Sequence, residues 1–196
     1  MSEPTRVTLL ERVRATQTGD SWNEFARVYD ALIVGWLRQQ GVADADADDV
    51  RQEVMQTVVT EIGRFDHNGR RGAFRRWLRQ ITANRLHRLW RSRSRKPQPG
   101  SGVDLGELAD QLEDDRSRMT LRWDAAHDKF VLEELLAALE SRFSAKSLTA
   151  FRRLAIGEEP VADVAGDLGM TIGAARVAQH RVLRALRELG AGLIDA

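Results

Sequence analysis

The sequence predicts an all-α protein: two small helical domains joined by a flexible acidic linker. Three observations predict it. Apolar residues recur at steps of three and four through most of the chain, and no run alternates apolar and polar as a half-buried strand does. Glycines, and one stretch rich in Pro and Gly at residues 96–102, punctuate the helical runs. Charge is segregated along the chain. Residues 1–63 carry 6 basic and 11 acidic side chains, residues 64–96 carry 12 and 1, residues 97–140 carry 4 and 11, and residues 141–196 carry 8 and 6. The formal net charge of +1 is a cancellation between one basic segment and the acidic segments on either side of it.

Thr5 to Gln17 reads as a short helix with Val7, Leu10 and Val13 at a spacing of three, closed by Gly19. Ser21-Trp22-Asn23-Glu24 has the capping-box pattern, in which the Ser21 hydroxyl serves the N3 amide and Glu24 reaches back. The helix it opens buries Phe25, Val28, Leu32 and Trp36 and stops at Gly41. Asp44, Asp46, Asp48 and Asp49 crowd the positive end of a third helix, where carboxylates favour the macrodipole. Val50, Val54, Val58 and Ile62 form its stripe up to Gly63. After a polar loop at 64–72, a fourth helix runs from about Ala73 to Arg93, with Phe74, Trp77, Leu78 and Ile81 as its apolar face.

Residues 97–118 then read as the acidic linker, with Asp104, Glu107, Asp110, Glu113, Asp114 and Asp115. From Pro97 to about Trp123 an extended chain spans ~90 Å at ~3.3 Å per residue. The second domain, from 119, opens on a long helix reaching Leu139, followed by a helix capped by Ser144 and ended by Gly157. Pro160 suits a first helical position and opens a short helix to Leu168. The turn Gly169-Met170-Thr171 leads into a final helix reaching about Leu189.

Composition removes several functional classes. Without cysteine there is no disulfide framework, no Cys-ligated zinc and no thiol nucleophile. The phosphate-loop, HExxH, GxSxG and GxGxxG patterns are absent. Asp44, Asp46 and Asp48 imitate the start of a calcium loop, but Asp49 stands where the loop needs Gly and Met55 where it needs Glu. The histidines, His67, His87, His127 and His180, are scattered. A non-enzyme without metal or cofactor is expected. No run of 18 apolar residues occurs, and the first ten residues lack a long apolar stretch, so the expectation is a cytoplasmic protein with no membrane partner.

Two segments point to nucleic acid. Val161, Val164 and Leu168, a Gly-containing turn, and Ala175, Ala178, Val182, Leu186 and Leu189 have the pattern of a helix-turn-helix. Steps of four and three align Arg176, His180, Arg184 and Arg187 in one outward row flanked by Gln179 and Arg181. These side chains bond phosphates and the major-groove edges of guanine and adenine, although a solvated outer face would carry the same types. In the fourth helix Asn84, Arg88, Arg91 and Arg95 share one face, and Arg75 and Arg79 make another row beside Trp77 and Trp90. Cations that neutralise phosphates, with rings that stack on bases, suit single-stranded nucleic acid. Trp77, inside the apolar stripe, reads as core; Trp90 is open to either role.

Three stretches together resemble the extracytoplasmic-function (ECF) sigma factors, which are bacterial transcription initiation factors. Asp46 to Val54 is similar to the family's acidic docking helix, Phe74 to Asn84 to its promoter-melting segment, and Gly173 to Val182 to its recognition helix. The stretch Trp123 to Leu136 and the pattern of the first 81 residues resemble a subgroup common in planctomycetes. The resemblance implies that residues 1–96 are sigma region 2 and residues 119–196 sigma region 4. Asp48, Asp49, Gln52 and Glu53 would dock on core RNA polymerase at the β′ clamp helices, with the β flap as a further contact. Phe65, Asn68, Arg76, Asn84, Arg88, Arg91 and Arg95 would bind and melt single-stranded DNA at −10. Thr171, Arg176, Gln179, His180, Arg181 and Arg184 would bind duplex DNA at −35. An anti-sigma factor is a further partner the family implies. Arg51 replaces a usual apolar residue in the docking helix, and Ala175 a commoner Val in the recognition helix. The alternatives are a conventional helix-turn-helix regulator and an Arg-rich RNA- or ribosome-binding protein.

Overall fold

The computed structural model describes residues 13–14, 19–65, 72–94 and 103–190, apart from the side chains of Ser21, Glu24 and Ser94. Every regular element among them is helical. They divide into two compact units, the first reaching Val131 and the second beginning at Leu132.

The first unit holds α1 (Asp20–Gln39), α2 (Asp44–Glu61) with a 3₁₀ turn at Ile62–Arg64, α3 (Ala73–Ser94), α4 (Leu105–Glu113) and the start of α5 (Arg118–Ala138). The helix expected over Thr5–Gln17 lies outside the described residues except Val13, which is buried, and Arg14. The chain enters α1 through Gly19, whose φ of 80° suits glycine, so the helix starts at Asp20. Ser21 is therefore not the N-cap that the capping-box pattern requires, and the side chain of Glu24 lies outside the described residues. The core is aromatic. Phe25, Tyr29 and Phe74 meet with ring centroids 4.5 to 5.8 Å apart, two of the three pairs edge to face, and Val54, Val58, Ile62 and Leu78 are buried in the same unit. Burial pushes the Tyr29 phenol well above its usual pKa.

Residues 103–118 depart from the expected linker. Asp104 caps α4 by accepting from the Gly106 amide at 2.8 Å and the Glu107 amide at 3.1 Å. Leu105, Leu108, Ala109 and Leu112 fall at helical spacing and are buried. The helix lies along α3, close enough that a Cβ on Gly106 would stand 3.0 Å from the Trp90 ring. Burying a leucine contributes about 1.5–3 kcal/mol, enough for three of them to offset much of the entropy of ordering a nine-residue helix. The expected start of a second domain at 119 shifts as well. Buried Thr120 donates to the Asp114 carbonyl at 2.8 Å, and Trp123 meets Trp36 edge to face at 4.9 Å. The ~90 Å extended span estimated from the backbone rise does not describe this segment. Residues 97–102 lie outside the described residues.

In the second unit, Ser144 caps α6 (Ala145–Phe151), which runs on into a π turn at Arg152–Ile156. Then come α7 (Val161–Asp167) and α8 (Ile172–Leu189). Ala150, Val164 and Ala178 form a small core with Leu154, Leu168 and Met170 packed against it. Arg153 ties the ends of α7: Nε donates to both Glu159 oxygens, at 3.0 and 2.9 Å, and Nη2 donates to Asp167 at 2.7 Å. Its hydrogen bonds hold the Glu159 carboxyl below its usual value.

Candidate nucleic-acid interface

Along α2, Asp49, Gln52, Glu53, Gln56 and Thr60 recur at three to four residues and are exposed, a polar row over the buried Val50, Val54 and Val58. Asp48 is half-buried, 3.9 Å from Arg51, which also reaches Asp30 of α1 at 3.2 Å. Arg51, anomalous by resemblance, thus braces α2 against α1. Asp46 is buried and paired with Arg93 of α3; burial pushes its carboxyl up against the pull of that guanidinium. Glu53 faces Arg85 at 3.6 Å and Arg88 at 3.9 Å, and Arg85 donates to the Thr57 hydroxyl at 2.6 Å. These side chains frame a groove of about 400 Å³ between α2 and α3.

The arginines of α3 divide by face. Asn84, Arg88 and Arg91 are exposed together, as their spacing predicts; Arg95 and Asn68 lie outside the described residues. The Arg75 and Arg79 row turns inward instead. Arg75 is 3.1 Å from Asp124 and donates to Asp128, both on α5, while Arg79 pairs with Asp115 in the turn after α4. Burial pushes the Asp124 carboxyl up against the pull of Arg75 and Arg79. For Asp128 burial pushes the same way, but hydrogen bonds from His127 and Arg75 outweigh it and hold the carboxyl below its usual value. Arg76, exposed, shares Asp115, and His87 stands 3.5 Å from both Asp110 and Glu113 of α4.

The aromatics divide likewise. Trp77 meets Phe65 at 4.8 Å and Phe74 at 5.7 Å. Phe65 is itself buried among those rings, so in this conformation it is a core residue and offers no open face to a base. The carboxylates at 115, 124 and 128 are the site residues that the motif-based reading missed. Their signal was present: a strongly acidic segment beside a strongly basic one, with Leu105, Leu108 and Leu112 at helical spacing.

In the second unit α7 and α8 are joined through Gly169, at φ 56°, and the Met170 amide donates to the Ala165 carbonyl at 2.8 Å. Thr171 caps α8 by accepting from the Ala174 amide at 3.1 Å, which fixes its hydroxyl at the start of the helix. Ala175, Ala178, Val182 and Leu186 are buried. Arg176, His180, Arg181, Arg184 and Arg187 are exposed on the outer side, with Gln179 half-buried and Arg184 paired to Glu188 at 3.0 Å. Ile172 and Val177 are also exposed there.

Residues 25–96 match the family Sigma-70 region 2. They form a Sigma-70 region 2 domain. No curated protein matches the chain. A region 2 domain indicates a sigma factor's role in binding RNA polymerase and melting promoter DNA, a role without enzymatic chemistry. The matched span takes in the polar row of α2 and the open face of α3, while α4 to α8 follow it. No helix among the described residues is long and apolar enough to cross a membrane.

Proposed function

We propose that the chain is a sigma factor of the ECF type, of the kind common in planctomycetes, acting in the cytoplasm. Its region 2 domain docks on the β′ clamp helices of core polymerase through Asp48, Asp49, Gln52 and Glu53, and it holds the opened −10 strand on Asn84, Arg88 and Arg91. Arg76, Asn68 and Arg95 complete that set by resemblance, whereas Phe65 supports the domain from its core. The second unit acts as region 4, contacts the β flap and reads duplex DNA at −35 with α8, through Thr171, Arg176, Gln179, His180, Arg181 and Arg184. One observation supports the reading: a region 2 match is followed in the same chain by two helices, α7 and α8, joined at Gly169 and carrying a cationic outer face on α8. An anti-sigma factor would regulate it.

The physical logic needs no bond chemistry. Extruding a base costs a few kcal/mol, which capture by a polar surface offsets. Pull-down with core polymerase followed by run-off transcription tests the whole. The expected result is tight association with core and promoter-specific transcripts from the holoenzyme alone. Specific duplex binding by the free chain as a dimer, with no affinity for core, would establish a conventional regulator instead.

A further inference from the structure

Asp115 sits in the turn between α4 and α5 and meets two arginines three residues apart on α3. Its Oδ1 accepts from Arg79 Nη2 and its Oδ2 is paired with Arg76 Nη2 at 2.5 Å. One anion bridging two guanidiniums in this way occupies them as a phosphate would.

The two arms are unequal. The Arg79 side chain is 5% exposed, and its Nε and Nη1 are buried without hydrogen-bond partners, so Asp115 is its one hydrogen-bond acceptor among the described residues. Taking that carboxylate away would leave a buried cation unpaired. The Arg76 side chain is 59% exposed and Asp115 is 45% exposed. A pair that open is screened by salt and contributes little, so the guanidinium changes partner at small cost. Leu105, Leu108 and Leu112 anchor α4, and Arg79 holds the carboxylate from below. The carboxylate therefore stays beside Arg76 at high effective concentration. Arg75, half-buried between Asp124 and Asp128, has no such freedom.

We propose that Asp115 is a built-in competitor for nucleic acid: it holds Arg76 when DNA is absent and yields that one arginine to a phosphate of single-stranded DNA, while keeping Arg79. The chain's affinity for DNA is thereby set below what its exposed arginines alone would give. The inference rests on the reading of the region 2 domain as a DNA-melting surface and names the residue that regulates it.

The test is the affinity of the full-length chain for a mixed-sequence single-stranded DNA oligonucleotide, read by fluorescence anisotropy across a salt series. Asp115→Asn binds about two- to fivefold tighter at low salt, the range that release of an exposed pair allows, and the gain shrinks as salt rises. On an Arg76→Ala background the same substitution changes nothing. Equal affinity of wild type and Asp115→Asn overturns the proposal, as does an equal gain when Arg76 is absent, which would be a general charge effect. If Asp115→Asn unfolds the chain through the unpaired Arg79, Arg79→Met/Asp115→Asn against Arg79→Met carries the same comparison without a buried charge. Run-off transcription separates the two levels of the argument: no transcripts from any holoenzyme sinks the sigma-factor reading, whereas transcripts with unchanged DNA affinity in Asp115→Asn sink only this inference.

Discussion

Leu112 decides whether α4 is part of the first unit or a passive tether. Its side chain is fully buried, one turn beyond Leu108 on the face of α4 turned away from solvent. Leu112→Ala removes about 2 kcal/mol of transfer free energy and leaves a cavity, for a total cost of about 3 kcal/mol. In a solvated linker the same change would cost less than ~0.5 kcal/mol. The assay follows from where the fluorophores lie. All five tryptophans, Trp22, Trp36, Trp77, Trp90 and Trp123, precede Val131, so tryptophan emission reports the first unit while far-ultraviolet circular dichroism reports both. With a urea slope of about 1.5 kcal/mol per molar, the emission midpoint falls by about 2 M. Arg116→Ala, at an exposed site in the next turn, serves as control and moves it negligibly. An unchanged emission midpoint in Leu112→Ala would refute the packing argument for α4.

Gly169→Ala costs about 1–2 kcal/mol, read as a lower thermal midpoint by circular dichroism. The cost is backbone strain at φ 56°, because the nearest atom to an added Cβ is Lys146 Nζ at 3.9 Å, and Gly169→Asn costs less. Glu159→Gln lowers stability at neutral pH. Because the folded carboxyl is held below its usual value of 4.5, the stabilisation is complete above that pH and is lost as pH falls through the lowered native value. Denaturant midpoints of wild type and variant therefore converge in acid, and a gap that persists there contradicts the pairing. Arg91→Ala weakens single-stranded DNA binding evenly across sequences and reduces the logarithmic salt slope by about 0.7, the value for one phosphate contact on a single strand. A sequence-dependent loss would instead make Arg91 a base reader.

Helix existence and most boundaries were legible because each core face announces itself. Val50, Val54 and Val58 on α2 and Ala175, Ala178, Val182 and Leu186 on α8 repeat at helical spacing and are buried as that spacing requires. Thr171 and Ser144 cap the helices they precede. What misled was polarity. Asp104, Glu107, Asp110 and Glu113 made residues 104–113 read as a solvated linker, although Leu105, Leu108 and Leu112 stand between those acids on the opposite face. Phe65 misled for the converse reason. A phenylalanine beside a polar loop looks available, and only the rings of Phe74 and Trp77 reveal that it is not.

The charge pattern is where sequence and structure answer different questions. The 12 cations of residues 64–96 suggest a uniformly basic surface, but α3 is a helix, and a helix distributes its charges among faces with different neighbours. Arg75, Arg79 and Arg93 are turned to Asp124, Asp128, Asp115 and Asp46, carboxylates contributed by α2, α5 and the turn before α5. Their charge is spent inside the fold, on register between helices: removing Arg93 strands the buried Asp46, and removing Arg75 strands the half-buried Asp124 and Asp128. Arg88 and Arg91 keep their heads in solvent beside Asn84, and Arg76 stands between the two groups, paired but open. The acidic segments are thus structural partners of the basic one before they are anything else. On the proposed function, DNA affinity in this domain depends on a small exposed subset of its arginines, and a substitution's effect follows from which face the arginine occupies, not from the charge it removes.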